Sequence, residues 1–79
     1  MPTVLVTNGF RFKFYSNENN EPAHVHVIKG AAEAKWWLNP ELKEEFSVGF
    51  KVQELRMIRE LLKERRDELL EAWEEHFNH

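Results

Sequence analysis

Residues 10–15 read Phe10-Arg11-Phe12-Lys13-Phe14-Tyr15, an alternation that a β-strand sorts onto two faces and a helix cannot. The three phenylalanines fall on one face, and Arg11, Lys13 and Tyr15 on the other. Immediately before them stands Asn8-Gly9, the dipeptide that supplies the two positive φ angles of a type I′ turn, and before that the β-branched run Thr3-Val4-Leu5-Val6-Thr7. The first 15 residues therefore commit the chain to a hairpin with an apolar face that something else must cover.

Ser16 to Ala23 is polar, holds three asparagines and a proline, and reads as a loop. His24-Val25-His26-Val27-Ile28-Lys29 alternates again, meets Gly30-Ala31 and returns as Ala32-Glu33-Ala34-Lys35-Trp36-Trp37-Leu38. A two-residue turn sets Ile28 opposite Glu33, His26 opposite Lys35 and His24 opposite Trp37. Val25, Val27, Ala32, Ala34 and Trp36 then share a core side. His24, His26, Glu33, Lys35 and Trp37 share the other, which is expected to face solvent.

Asn39-Pro40 ends this sheet, and residues 40–50 read as a connector with a helical turn at Glu41 to Glu45. The main helix starts near Lys51 or Val52, where Phe50 and Leu55 have the spacing of a hydrophobic staple and Glu54 falls at the third helical position. Its apolar stripe is Leu55, Ile58, Leu62, Leu69, Leu70, Trp73 and Phe77. Arg65-Arg66 interrupts that stripe, so the segment is expected either to bend into two helices or to leave the sheet surface. The expected fold is α+β: a small antiparallel sheet of three to four strands in two hairpins, then one bent or two consecutive amphipathic helices, in a single domain over residues 1–79.

A chain of 79 residues has room for one core, and at this size a partner chain is a common source of added stability. With no cysteine, neither a disulfide framework nor a thiolate metal site is available. No apolar run reaches the roughly 20 residues that span a bilayer, and Met1-Pro2-Thr3 lacks the start of a secretory signal, so the chain reads as cytoplasmic. The net charge of −3 is unevenly placed: residues 1–39 hold four Lys/Arg against three acids, residues 40–79 seven against eleven. A nucleic-acid footprint over the whole molecule is disfavoured, and one on the N-terminal sheet is not.

His24 and His26 lie on one side of a strand about 7 Å apart. Three readings follow: packing and hydrogen-bonding residues, a general acid and base acting on a phosphate, or metal ligands. The metal reading needs Glu33 as a third ligand and suffers from the Lys35 ammonium beside His26; no metal and no cofactor is expected. His76 and His79, near the C-terminus, read as surface residues. Arg11, Lys13, Tyr15, Lys35 and Trp37 join the histidines on one face, which suits either RNA, through cations and aromatic planes, or plain solvation. Arg56, Arg59, Lys63 and Arg66 line one helical stripe, either a solvated face or a docking surface for an acidic partner. Of Trp36, Trp37 and Trp73, any that the core leaves out marks a contact with another chain, and Trp73 is grouped with the helical docking residues. No nucleophile arrangement and no glycine-rich phosphate loop is present.

Met1-Pro2-Thr3-Val4-Leu5, the strand of residues 12–16, Glu21-Pro22-Ala23-His24-Val25-His26-Val27, Ala34-Lys35-Trp36 and Leu69-Leu70-Glu71-Ala72-Trp73 together resemble the bacterial domain of unknown function 4160 family (DUF4160). Ala23 stands where the family has a second proline, and Lys51-Val52 where it has a Ser-Pro helix start. The resemblance implies a small stand-alone protein paired with a cognate small protein of the domain of unknown function 2442 (DUF2442) type, in an arrangement like a toxin and its antitoxin. The functional expectation is a toxin–antitoxin-like component that binds its cognate partner and binds or cleaves RNA, with His24 and His26 as acid and base. The alternative is a non-enzymatic protein-binding module; a homo-oligomer is compatible with either.

Overall fold

The structure is a computed structural model that describes residues 3–14 and 21–77. Tyr15, residues 16–20 of the expected loop, and His79 lie outside the described residues. Five strands, β1 (Thr3–Thr7), β2 (Phe10–Lys13), β3 (His24–Lys29), β4 (Ala32–Trp37) and β5 (Lys43–Val48), are followed by one helix, α1 (Val52–Phe77). The strands form a single antiparallel sheet in the order β1-β2-β3-β4-β5.

Local chemistry accounts for the first hairpin. Asn8 and Gly9 have φ of 53° and 82°, the left-handed pair the turn requires, and Thr7 faces Phe10 across it. The β3–β4 register is the one a two-residue turn demands: Ile28 opposite Glu33, His26 opposite Lys35, His24 opposite Trp37. Phe10, Phe12, Phe14, Val25, Val27, Ala34 and Trp36 consequently share the face that α1 covers with Ile58, Leu62, Leu69 and Trp73. Phe14 meets the Trp73 ring edge-on at 5.2 Å between centroids.

The expected sheet of three to four strands is corrected to five. Lys43–Val48 is a strand and contains no helical turn. Lys43, Glu44 and Glu45 resemble a helix start in composition, but charged residues are also how an edge strand resists further pairing. Lys35 faces Phe46 while Trp36 faces Glu44, so Glu45 is the extra residue of a bulge. Gly49 ends the strand at φ 85°, and a Cβ there would stand 3.2 Å from both the Cα and the Cβ of Ala32. Alternating Phe46 and Val48 before a glycine was the legible signal.

The expected break in the helix is also corrected: α1 is one element of 26 residues. Arg66 fills the gap in the apolar stripe by donating from Nε to the Leu38 carbonyl at 2.8 Å and from a terminal nitrogen to the Pro40 carbonyl at 3.2 Å. The stem of an arginine covers apolar surface while its head satisfies carbonyls that leave the sheet, so packing continues from Leu62 to Leu69. At the N-terminus, the Lys51 N–H donates to Glu54 Oε1 at 2.9 Å, and the Leu55 N–H donates to the Lys51 carbonyl at 3.0 Å. The bond from the Lys51 N–H, followed by the Lys29 ammonium 3.0 Å away, holds the Glu54 carboxyl below the usual carboxylate range. Among the described residues no helix is long and apolar enough to cross a membrane.

Candidate functional site

The face of the sheet opposite α1 is organised in rows, because antiparallel register carries a side-chain position straight across neighbouring strands. One row runs Val6, Arg11, Ile28, Glu33, Val48. The next runs Lys13, His26, Lys35, Phe46, and a third pairs His24 with Trp37 and Lys43. Alternation thus brings Arg11, Lys13, His24, His26, Lys35 and Trp37 onto one face, as expected from the sequence.

Their exposure is not as expected. The imidazoles do not face open solvent: His24 is 0 % and His26 4 % exposed. His24 occupies the sheet end that α1 overruns, with Trp73 at 4.9 Å, Trp37 at 5.2 Å and His26 at 5.5 Å between ring centroids. Its Nδ1 lies 2.9 Å from the Pro22 carbonyl oxygen; a carbonyl can only accept, so Nδ1 carries the proton. Glu21 Oε1 is 3.8 Å from the same nitrogen. His26 sits in the central strand, flanked by the long stems of Lys13 and Lys35, with Nδ1 3.4 Å from Glu33 Oε2. Face assignment by alternation was correct; what it could not supply was the overhang of Trp73 and the height of the neighbouring stems.

The cations of this face are partly neutralised. Lys35 Nζ donates to Glu21 Oε1 at 3.0 Å and lies 4.5 Å from the centre of the Trp37 ring, so one surface of that indole is occupied by an ammonium. Trp37 Nε1 donates to Glu45 Oε1 at 2.9 Å. Glu21 and Glu45 carried no assigned role in the sequence reading, because the residues that bring them here are a loop and an unrecognised strand. Arg11 is exposed and Lys13 half-buried, and neither makes an ion pair among the described residues. Among the described residues no three His, Cys, Asp or Glu side chains come together to hold a metal ion.

On α1 the expected docking residues divide. Arg56, Arg59 and Lys63 are exposed, and Val52 extends their stripe at i, i+4, i+7 and i+11. Arg66 is instead tied to the sheet end and Trp73 belongs to the core, so neither is free to meet a partner.

An open five-stranded antiparallel sheet with one long helix on a single face, and two buried histidines on its β3 strand, defines a small α+β domain of the sheet-and-helix class. The family model for a domain of unknown function (DUF4160) matches residues 9–74, which takes in the β2 to β5 sheet and most of α1, and the chain belongs to that family. No curated protein and no solved structure matches it.

Proposed function

We propose that this chain is the partner-binding component of a toxin–antitoxin-like pair and works by holding a cognate small protein of the domain of unknown function 2442 type, not by acid–base chemistry at His24 and His26. The observation that carries this reading is the contrast in exposure. The two imidazoles are enclosed, whereas Arg56, Arg59 and Lys63 stand in solvent beside the exposed Val52. A general acid must reach hydrogen-bond distance of the group it protonates, and an enclosed ring cannot do so without local opening. A cationic stripe with an apolar residue at its end suits an acidic surface with an apolar pocket.

RNA contact without cleavage is the second reading, favoured by exposed Arg11 beside Lys13 on β2, neither of them paired to an acid among the described residues. One titration separates the two. Isothermal titration of the cognate protein is expected to show 1:1 binding that the Arg56→Glu/Arg59→Glu/Lys63→Glu variant loses with its melting temperature unchanged. Binding that survives this charge reversal and disappears in Arg11→Ala/Lys13→Ala moves the interface to the sheet; a protein that ignores the cognate chain and binds RNA with a steep salt dependence leaves only the second reading.

A further inference from the structure

We propose that two copies of this chain pair through β1, so that two sheets join about a twofold axis at Val6. The inference is independent of the helical stripe. A five-stranded meander leaves two edges, β1 and β5, each with a row of main-chain N–H and C=O groups that no strand of the sheet meets. The β5 edge is guarded: Lys43, Glu44 and Glu45 are all exposed, and the bulge at Glu45 breaks the ladder a second strand would need. An incoming strand there would desolvate adjacent like charges.

The β1 edge has no such guard. Thr3–Thr7 contains no charged residue, and Val6, on the face opposite α1, is 62 % exposed. The register shift of β1 lies between Thr3 and Leu5, leaving Leu5, Val6 and Thr7 in regular pairing with β2. Leu5, Val6 and Thr7 are all uncharged, so an antiparallel neighbour of identical sequence that pairs with this regular stretch meets only β-branched and apolar residues, with no charge left unmatched. A twofold axis at Val6 sets that residue opposite itself and Leu5 opposite Thr7 of the second copy. It leaves the irregular stretch outside the pairing.

Both copies use the same edge, so the assembly closes at two chains and does not grow. Among the described residues, the charge opposite Val6 is Arg11, one strand further out on each side. Three strand spacings, about 14 Å, would separate the two Arg11 side chains, beyond a Debye length at physiological salt.

The chain has no cysteine, so Val6→Cys introduces its only thiol. Directly opposed antiparallel residues have Cα atoms about 4.5–5.5 Å apart, within the range a disulfide spans. Mild oxidation is expected to convert Val6→Cys into a cross-linked dimer. Sedimentation equilibrium of the unmodified chain is expected to give a concentration-dependent dimer that Val6→Lys abolishes and Val48→Lys, on the opposite edge, retains. Val6 is exposed, so circular dichroism of Val6→Lys should match the unmodified chain. A monomer at every concentration, a Val6→Lys chain that still dimerises, or a Val6→Cys chain that fails to cross-link overturns the proposal.

Discussion

Replacing Arg66 by methionine removes two hydrogen bonds while keeping an unbranched stem of similar reach over the apolar surface. In the native chain the guanidinium reaches the Leu38 carbonyl at 2.8 Å and the Pro40 carbonyl at 3.2 Å, tying the middle of α1 to the segment that connects β4 to β5. A hydrogen bond from a charged donor contributes about 1.5–3 kcal/mol. The bond to Pro40 is longer and exposed, so water replaces much of it, and the bond to Leu38, part-buried, dominates. The sum is about 2–3 kcal/mol. A domain of this length is stable by roughly 4–12 kcal/mol, so one substitution removes about a sixth to three quarters of the total.

At about 4–8 °C per kcal/mol the melting temperature should fall by roughly 10–20 °C. Arg66→Lys retains one donor nitrogen without the planar fork and should lose about half as much. Urea unfolding followed by tryptophan fluorescence is expected to show a lower midpoint with an unchanged slope. If Arg66→Met unfolds within about 0.5 kcal/mol of the native chain, the idea that this side chain mends the gap in the apolar stripe is wrong.

Three further outcomes follow from the same geometry. His24→Ala empties the space between Trp37 and Trp73 and leaves the Pro22 carbonyl without its donor; it should cost about 2–4 kcal/mol in urea unfolding, and unchanged stability would contradict the buried placement. Because the Glu54 carboxyl is held below its ordinary 4.5, its contribution is present above that value and disappears as pH falls through the lowered one. Stability of Glu54→Gln measured against pH should therefore decline less steeply below pH 4.5 than that of the native chain, and parallel curves would remove the carboxylate from the helix start. Gly49→Ala places a Cβ against Ala32 at a left-handed backbone position and should lower stability by about 1–2 kcal/mol; a neutral result in thermal unfolding would mean the end of β5 relaxes freely.

Local alternation and turn chemistry made the central part of the sheet legible. Asn8-Gly9, the phenylalanines of β2 and the register that sets His26 opposite Lys35 all follow from side-chain period and loop length. β5 was hidden because Lys43, Glu44 and Glu45 have the composition of a helix, and an edge strand owes its existence to a neighbour's main chain more than to its own side chains. The single helix was hidden for a related reason. Arg65-Arg66 breaks an apolar stripe on paper, and only the carbonyls of Leu38 and Pro40, nearly thirty residues earlier in sequence, explain why a charge belongs there.

The candidate site was legible in its membership and not in its depth. Period two assigns His24, His26, Lys35 and Trp37 to one face, but exposure depends on what lies above that face. Glu21 reaches Lys35 from the loop before β3, Glu45 reaches Trp37 from β5, and Trp73 reaches His24 from the far end of α1. Each of those contacts joins residues whose proximity only the folded chain reveals. A cationic histidine face on paper becomes a partly neutralised, partly enclosed surface once they form.

The enclosure of His24 is most directly tested on its own ring proton. Long-range nitrogen–proton NMR spectra of the imidazoles should show a proton on His24 Nδ1, as the bond to the Pro22 carbonyl requires, exchanging with water far more slowly than in a free imidazole. A His24 ring that exchanges at the solvent rate, or that carries its proton only on Nε2, would place the imidazole in the open and restore the acid–base reading of this face.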